Sequence, residues 1–424
     1  MNLQQIEQQA AQTADEVAGL TSQLVQCNSA HPDGYTDKVV AVIKAYCDRH
    51  GIPNEIHSND PKKPNIVAKV KGTSDKTILW LGHIDVVPAG TPAFWTYPPY
   101  SGTIADGCVW GRGSSDMKGA CASALVAARL LFQADEPPPY TVEFWFSSDE
   151  EIGGHEGATW LAKTGRLSGE VCLIGDGSGG GYALPSLDLG CKGALQVRLI
   201  SKGHTAHGST PFMGDNALRK LIDVVPAIER IGAFKLDYPA ELAEVVQTSI
   251  AHFKASQDLT PAQAQAAERL YDYPSVACTM LNAGVKVNVV PDYAEAEFDI
   301  RLTPGSNPQA VAAQLQALLD ETGVAGVELI ATPDHTAGYY EAPDSPGAVA
   351  LTETLRQVTG KEPLAKILTG GTDGISVRHY AGISSVGWGT SLTGMAHQPD
   401  ERISIENLVL GVKVYTAFPY IYGG

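Results

Sequence analysis

The sequence lacks the features of a membrane or secreted protein. No segment of its 424 residues approaches the ~18 consecutive apolar residues of a membrane-spanning helix. The amino-terminal residues 1–26 have the pattern of an amphipathic helix, without the basic start and apolar stretch of a signal peptide. We therefore expect a soluble, cytoplasmic protein that does not associate with membranes.

Cysteine and positive charge are both scarce. The seven cysteines are scattered singly, without a C-x-x-C pair, which indicates reduced thiols in a cytosol-like compartment. There are 30 Lys and Arg against 47 Asp and Glu, a net charge of −17. This excess disfavours nucleic acids and anionic membranes as partners. It also leaves carboxylates available for binding metal ions.

Two common catalytic motifs are absent or incomplete. The sequence contains no G-x-S-x-G, so a serine hydrolase has no evident nucleophile. Residues 175–180 match G-x-G-x-x-G after an apolar run, as a dinucleotide site requires. The residues that follow, 181–185, do not start a helix, and this disfavours a pyrophosphate site.

The chain does contain alternating strand and helix patterns over its first ~190 residues, the arrangement of an α/β domain. Short apolar runs predict buried strands, and residues 117–132 predict a helix; the runs are residues 77–81, 140–146 and 171–174. From residue 192 the pattern changes to that of an α+β unit with one antiparallel sheet. Its predicted strands and helices are residues 192–200, 216–231, 275–281, 293–302, 308–321 and 327–331.

These patterns and the chain length predict two domains. A discontinuous α/β catalytic domain covers residues 1–189 and 334–424, and an α+β domain is inserted at residues 190–333. The Ala/Gln/Glu-rich stretch at residues 239–273 predicts extra helices. The sequence assigns that stretch no role.

Two histidines and several carboxylates follow the predicted strands or lie in loops on both sides of the insertion. They are His83, Asp85, Asp116, Glu150, Glu151, Asp176 and His397. Each motif alone has an ordinary structural interpretation, as a solvated strand end, a helix cap or a charged turn. Together, two imidazoles and four to five carboxylates suit paired Zn²⁺, Co²⁺ or Mn²⁺. We therefore predict a two-metal hydrolase.

The spacing of these residues suggests how the work is divided among them. Asp85 is two residues after His83 and could hold the second ring nitrogen of that imidazole. Glu150 and Glu151 are adjacent carboxylates, of which one could bind metal while the other serves as general base.

Five segments, in order and spacing, resemble the family of co-catalytic zinc metallopeptidases and amidohydrolases. They are residues 82–88, 111–119, 149–151, 371–373 and 396–401. That family includes succinyl-diaminopimelate desuccinylase, acetylornithine deacetylase, the aminoacylases, glutamate carboxypeptidase and the carnosinase-type dipeptidases. The resemblance implies a zinc-peptidase-like α/β catalytic domain, a mixed central sheet flanked by helices. It also implies a ferredoxin-like α+β lid domain that forms homodimers.

The resemblance also implies a ligand set for two metal ions, most simply Zn²⁺. Asp116 bridges both ions, His83 and Asp176 complete one, and Glu151 and His397 complete the other.

The same resemblance separates the remaining roles near the metals. Glu150 is the general base, Asp85 supports His83, and the Asp116–Met117 peptide bond is cis.

Substrate contacts are implied in the inserted domain and beyond it. His207 matches the family's oxyanion histidine, with His204 as the alternative, and Asn288 matches its substrate-contacting asparagine. Arg301 matches the family's arginine and could bind a substrate carboxylate, with a surface ion pair as the alternative. Gly371 and Thr372, in one of the five resembling segments, are also implied to bind substrate, Thr372 as a partner of its carboxylate.

The expected reaction is hydrolysis of an amide bond beside an amino-acid carboxylate, in a small peptide or an N-acyl amino acid. Aspartate at position 176 is typical of the family's peptidase branches, whereas the deacylase branches carry glutamate there. We therefore expect a dipeptidase or carboxypeptidase, with an N-acyl-amino-acid deacylase as the alternative. A non-catalytic metal- or peptide-binding relative is a remote third hypothesis, because it would not need Glu150.

Overall fold

A computed structural model describes residues 1–332 and 337–424. Its helices are α1 (Leu3–Ala11), α2 (Ala14–Gln26), α3 (Asp37–His50), α4 (Gly119–Phe132), α5 (Ala158–Lys163), α6 (Ala217–Glu229), α7 (Ala243–Ser256), α8 (Pro261–Ala267), α9 (Pro308–Glu321), α10 (Pro346–Thr359), α11 (Gly374–Ser376) and α12 (Ile405–Tyr422). Its strands are β1 (Asn54–His57), β2 (Asn65–Val70), β3 (Thr77–His83), β4 (Thr103–Ala105), β5 (Cys108–Trp110), β6 (Thr141–Ser147), β7 (Val171–Ile174), β8 (Ser186–Cys191), β9 (Gly193–Lys202), β10 (Ser275–Ala283), β11 (Tyr293–Leu302), β12 (Val327–Ala331), β13 (Tyr339–Tyr340), β14 (Leu364–Leu368), β15 (Ser384–Gly387) and β16 (Arg402–Ser404).

The chain divides into two compact units. The first comprises Met1–Gly190, Glu341–Lys366 and Thr372–Gly424, and the second comprises Cys191–Tyr340 and Ile367–Gly371. The predicted insertion ends between residues 333 and 334, and both residues lie outside the described part of the chain. The sequence did not anticipate that residues 367–371 return to the second unit. The predicted domain limits therefore stay predictions.

A mixed sheet forms the centre of the first unit. Its strands run in the order β1-β2-β6-β3-β7-β15-β8. The four strands β6, β3, β7 and β15 are mutually parallel, while β1, β2 and β8 pair antiparallel at the two sides. The carboxyl ends of the four parallel strands therefore open at one edge, where α/β sheets carry their sites.

Helices cover both faces of this sheet because both faces of its central strands are apolar. On one face Trp80 of β3 packs against Tyr415 of α12, with ring centroids 5.4 Å apart, and α12 packs against α4. On the other face Leu79 and Leu81 pack with residues of α5. A separate three-stranded sheet has the order β16-β5-β4.

The second unit has the order of elements β9-α6-β10-β11-α9-β12, with α7 and α8 between α6 and β10. Its antiparallel sheet runs β10-β11-β9-β12. This is a ferredoxin-like arrangement. Its core forms where α6 and α9 pack on the sheet, as in the contacts among Leu221, Leu315 and Phe298.

The predicted fold class is confirmed. The chain contains a mixed α/β sheet flanked by helices, and an α+β unit interrupts that part of the sequence. Strands and helix at residues 293–302, 308–321 and 327–331 have their predicted bounds. The prediction of one amino-terminal helix over residues 1–26 is wrong, because it breaks between α1 and α2. The Thr13 hydroxyl donates to the Ala10 carbonyl at 2.7 Å, and such local bonds compete with the helix.

Candidate metal centre

The candidate ligands lie just beyond the carboxyl ends of the parallel strands. His83 is the last residue of β3, Glu150 and Glu151 form a single helical turn after β6, and Asp176 follows β7. The sheet thus brings together residues that are up to 93 positions apart in the sequence.

Asp116 lies between two histidines. His83 Nε2 is 3.1 Å from Asp116 Oδ1, and His397 Nε2 is 3.3 Å from Asp116 Oδ2. His397 Nε2 is also 3.3 Å from Glu151 Oε2. Potential ligand atoms of His83, Asp116 and Glu151 all lie within 4.8 Å of one another. Each oxygen of Asp116 faces a different imidazole, so its carboxylate could contact two metal ions.

The loop that carries Asp116 is held by a buried ion pair that the sequence did not reveal. Glu401 accepts hydrogen bonds from the backbone N–H groups of Ser115 and Asp116, at 2.9 and 3.0 Å. Its other oxygen pairs with Arg112. The Asp116–Met117 peptide bond is cis, as the resemblance implied. Glu401 is four residues after His397, so the motif contained it without indicating its partner.

Asp176 is half-buried and more loosely connected. Its Oδ1 accepts the Gly177 N–H at 2.5 Å. Among the described residues, no hydrogen bond or ion pair joins it to the other four predicted ligands. Burial raises its pKa to about 7, and the negative charge of Asp116 adds to the shift. Asp176 therefore belongs to the same electrostatic cluster.

The donor set fits divalent metal ions. Oε1 of Glu151 is buried, and no partner within the described ranges forms a hydrogen bond with it. An unpaired buried carboxylate oxygen is costly unless a cation or donor satisfies it. Hydrogen bonds to Asp116 and Glu151 raise the pKa of His397 to about 10, because these carboxylates favour a positive charge at this position. Imidazole and carboxylate donors are those that zinc accepts.

Glu150 differs from Glu151 in its surroundings. In the part of the chain that the structure describes, its carboxylate makes no hydrogen bond and faces no ion-pair partner. Burial raises its pKa well above the usual range. The negative charges of Asp373, Asp176 and Glu151 raise this pKa further, whereas the charge of His83 lowers it. A carboxyl group with a raised pKa suits proton transfer near neutral pH.

Asp85 contacts both His83 and the glutamate turn. The Nδ1 atom of His83 is 3.1 Å from the main-chain oxygen of Asp85 and 3.6 Å from its carboxylate. The carboxylate accepts the backbone N–H groups of Glu150 and Glu151, each at 3.1 Å. It is also 2.9 Å from Nε2 of His31, a residue outside the recognised sequence motifs. Asp85 therefore supports the turn as directly as it supports the imidazole.

The second unit brings His207 and Asn288 together on exposed loops. The Gly208 N–H donates to the Asn288 carbonyl at 2.8 Å, and His207 bridges to Val289. Nδ1 of His207 contacts the Ser209 hydroxyl at 2.7 Å, whereas Nε2 has no hydrogen bond within the described residues. Nε2 of His204 is already within 2.9 Å of the Met213 carbonyl.

The remaining predicted contacts lie elsewhere. Arg301 on β11 forms a two-pronged ion pair with Asp299, at 2.8 and 3.0 Å. Thr372 is buried in the first unit, where its hydroxyl accepts the Gly374 N–H at 3.3 Å, and Gly371 belongs to the second unit.

The sequence of this chain matches known proteins over most of its length. Residues 79–420 match the sequence model of peptidase family M20/M25/M40. The succinyl-diaminopimelate desuccinylase of Paracoccus denitrificans is 27% identical over 417 residues, covering 94% of this chain and 96% of that protein. The probable succinyl-diaminopimelate desuccinylase of Staphylococcus aureus is 27% identical over 376 residues, covering 85% of this chain and 86% of that one.

Solved structures share the fold. An M20 family metallo-carboxypeptidase from Sulfolobus solfataricus superposes with a TM-score of 0.81 at 22% identity, covering 96% of this chain and 99% of that one. A di-peptidase from Saccharomyces cerevisiae gives 0.82 at 17% identity, covering 100% and 98%. Human carnosine dipeptidase 1 gives 0.77 at 19% identity, covering 99% and 98%.

These findings confirm the predicted family and the predicted class of enzyme, a metal-dependent hydrolase of amide bonds. The identity of the metal, the substrate, the oligomeric state and the role of each residue stay predictions. Within the described ranges, no helix has the length and apolar character needed to cross a membrane. The match over residues 79–420 covers well over half of the sequence, so this chain belongs to peptidase family M20/M25/M40.

Proposed function

We propose that this protein uses two zinc ions to hydrolyse an amide bond beside an amino-acid carboxylate. The observation that carries the proposal is the position of Asp116 between His83 and His397, with the uncommitted carboxylate of Glu150 in the same electrostatic cluster. His83 and Asp176 would hold one ion, Glu151 and His397 the other, and Asp116 both. The seven free cysteines support a cytoplasmic location.

The chain's own residues account for the proton transfers. Bound divalent ions would polarise the amide carbonyl and acidify a water molecule. Glu150 takes the proton from the attacking water and returns it to the leaving nitrogen. Asp85 keeps that carboxylate in place through the two N–H groups of the turn. His207 donates a hydrogen bond to the developing oxyanion.

The distance between predicted substrate contacts supports a homodimer. His207 pairs with Val289 in the loop that contains Asn288 and leads into β11. Arg301 lies near the other end of that strand. Tyr293 and Arg301 are eight positions apart in β11, about 26 Å at ~3.3 Å per residue. This span favours an active site that draws the three residues from two copies of the second unit. In the proposed dimer, the partner subunit's His207 and Asn288 complete a site that contains this subunit's Arg301.

An apolar surface on the same loops gives the dimer a contact area. Phe212, Met213, Val285 and Val287 are 81%, 64%, 92% and 102% exposed. All four lie on the two neighbouring loops that carry His207 and Asn288, and a large exposed apolar patch usually marks an interaction surface. Association through the second unit, in the role of a lid and dimerisation domain, would bury them.

For the substrate, we propose a dipeptide or a peptide with a free carboxyl terminus. Asp176 supports this choice, because aspartate at its position is typical of peptidase branches. Desuccinylation of an N-succinyl amino acid is the second candidate, favoured by the names of the relatives at 27% identity. A non-catalytic binding role is disfavoured by the presence of Glu150 beside a full ligand set.

A panel of substrates tests the proposal. Metal-free protein is reconstituted with Zn²⁺ or Co²⁺ and offered dipeptides together with N-acetyl, N-succinyl and N-formyl amino acids, with a chelated control. Chelator-sensitive cleavage of dipeptides is expected. Cleavage confined to acyl amino acids would move the protein to the deacylases, and no cleavage of any member would contradict the proposal.

Mixing two inactive variants tests the shared site. His207→Ala and Glu150→Ala dimers are each dissociated, mixed in equal amounts and reassociated. Half of the mixed molecules should be heterodimers with one intact site, so activity should recover to roughly a quarter of that of the wild-type protein. No recovery, in molecules shown to have exchanged subunits, would contradict the partner's contribution.

A further inference from the structure

A loop far from the recognised motifs lies against the residue that supports the glutamate turn. The His31 N–H donates to the Val86 carbonyl at 3.1 Å, and the Val86 N–H donates to the Ser29 carbonyl at 3.2 Å. The Ser29 hydroxyl donates to the Ile84 carbonyl at 2.7 Å. The segment from Ser29 to His31 is thus fixed beside the segment that contains Asp85.

The imidazole of His31 is held in one place. It is 8% exposed. Gly34 packs flat against the ring: a Cβ atom at that position would lie 2.4 Å from Cε1, and its φ of +59° is one that glycine adopts without strain. Of its two ring nitrogens, only Nε2 has a hydrogen-bond partner among the described residues, Asp85 Oδ2 at 2.9 Å. Nδ1 is buried and without a hydrogen-bond partner among the described residues.

Asp85 transmits this constraint to the turn. Its carboxylate is fully buried. Oδ1 accepts the Glu150 N–H, and Oδ2 accepts both the Glu151 N–H and His31 Nε2. Without His31, the carboxylate loses its nearest side-chain donor, and its torsion is no longer fixed on that side. A changed carboxylate torsion moves both backbone N–H groups that define the turn.

We propose that His31 is a positioning residue that acts through Asp85 on the turn carrying the general base. The inference rests on the proposed role of Glu150. It does not depend on the charge of His31, because Nε2–H donates in the neutral and in the protonated imidazole alike. Within the described residues His31 forms no hydrogen bond or ion pair with a predicted metal ligand, so its effect should fall more on turnover than on zinc affinity.

Substitutions at His31 test the proposal in the full-length, zinc-loaded enzyme. His31→Leu removes the donor, and His31→Gln keeps one at a similar reach. His31→Leu should lower kcat about 10- to 100-fold, the usual effect of losing an outer partner, with KM changed less than about twofold. His31→Gln should recover most of kcat. His50→Leu, a histidine on α3, is the matched control and should behave as wild type.

Zinc binding and a double variant make the test specific. Calorimetric titration of His31→Leu should give the zinc stoichiometry of the wild-type protein and an affinity that falls less than kcat, because Asp85 also contacts His83 and the Glu151 N–H. In an Asp85→Ala background, His31→Leu should lower kcat no further, because residues that act through one another are not additive. If His31→Leu does not fold, His31→Asn, whose amide is too short, takes its place.

Three results with the single variants would overturn the inference. They are an unchanged kcat in His31→Leu, an equal loss in His31→Gln, and a fall in zinc affinity that parallels kcat. Additive losses with Asp85→Ala would overturn it as well. These outcomes are distinct from a failure of the proposed function, which would appear as an active Glu150→Ala enzyme.

Discussion

The two units hold their predicted catalytic residues in opposite ways. In the first unit the ligands are buried or half-buried, except for His397, and each loop has several partners, such as Glu401 for Asp116 and Asp85 for Glu150. In the second unit His207 and Asn288 lie on exposed loops beside exposed apolar side chains. The first unit therefore surrounds its candidate metal ligands with its own residues, whereas the predicted substrate contacts of the second unit are exposed.

Removing the central carboxylate should have the largest effect. Asp116→Ala deletes the group that faces both histidines, so we expect fewer than one zinc per subunit and no detectable activity. Elemental analysis after dialysis measures the metal. Asp75→Ala, at a fully exposed aspartate, is the control and should keep two zinc ions. Near-normal metal content in Asp116→Ala would contradict the bridging role.

Glu150→Ala should separate chemistry from metal binding. Because the proposed base contributes proton transfer, kcat should fall roughly 10³-fold or more, at the upper end of general acid–base effects. Zinc content should not change, and Glu150→Gln should be equally impaired, since an amide cannot accept the proton. An active Glu150→Ala enzyme would refute the assignment of the base.

His207→Ala tests the exposed side of the comparison. Loss of one oxyanion donor costs about 10²–10³-fold in kcat, and zinc content should stay at the wild-type value. His204→Ala is the matched control, because its Nε2 already contacts the Met213 carbonyl; we expect a loss below about fivefold. The reverse ranking of the two variants would transfer the role to His204.

The sequence allowed the metal centre to be predicted because the rule behind it is simple. Apolar runs mark parallel strands, and polar residues that follow such runs meet at one edge of the sheet, as His83, Glu151 and Asp176 do. Supporting residues follow no such rule. His31 precedes Asp85 by 54 residues and lies in a loop without a periodic pattern. Glu401 and Arg112 are far apart in the sequence, and no motif links them before the chain folds.

Arg301 shows a limit of reasoning by motif. Two roles were open for it, binding of a substrate carboxylate and a surface ion pair, and Asp299, two residues away on the same face of β11, forms the ion pair. Positions i and i+2 of a strand share a face, so this pairing could have been read from the sequence.

Arg301→Ala should therefore have the smallest effect of the four. If the guanidinium contacts both Asp299 and the substrate, its removal should raise KM about tenfold with little change in kcat. This corresponds to the ~1.5 kcal/mol of one charged hydrogen bond. The matched control is Arg198→Ala on β9, which removes an exposed guanidinium that pairs with Glu295 and should leave KM unchanged. An unchanged KM in Arg301→Ala would reduce Arg301 to a structural partner of Asp299.

The most direct test of the account is a titration of metal-free protein with Zn²⁺, followed by calorimetry and by hydrolysis of the best substrate in the panel. We predict two zinc ions per subunit, activity that appears as the sites fill, and its loss on chelation. Full activity in the metal-free protein, or activity independent of added zinc, would contradict a metal-dependent hydrolase built on Asp116.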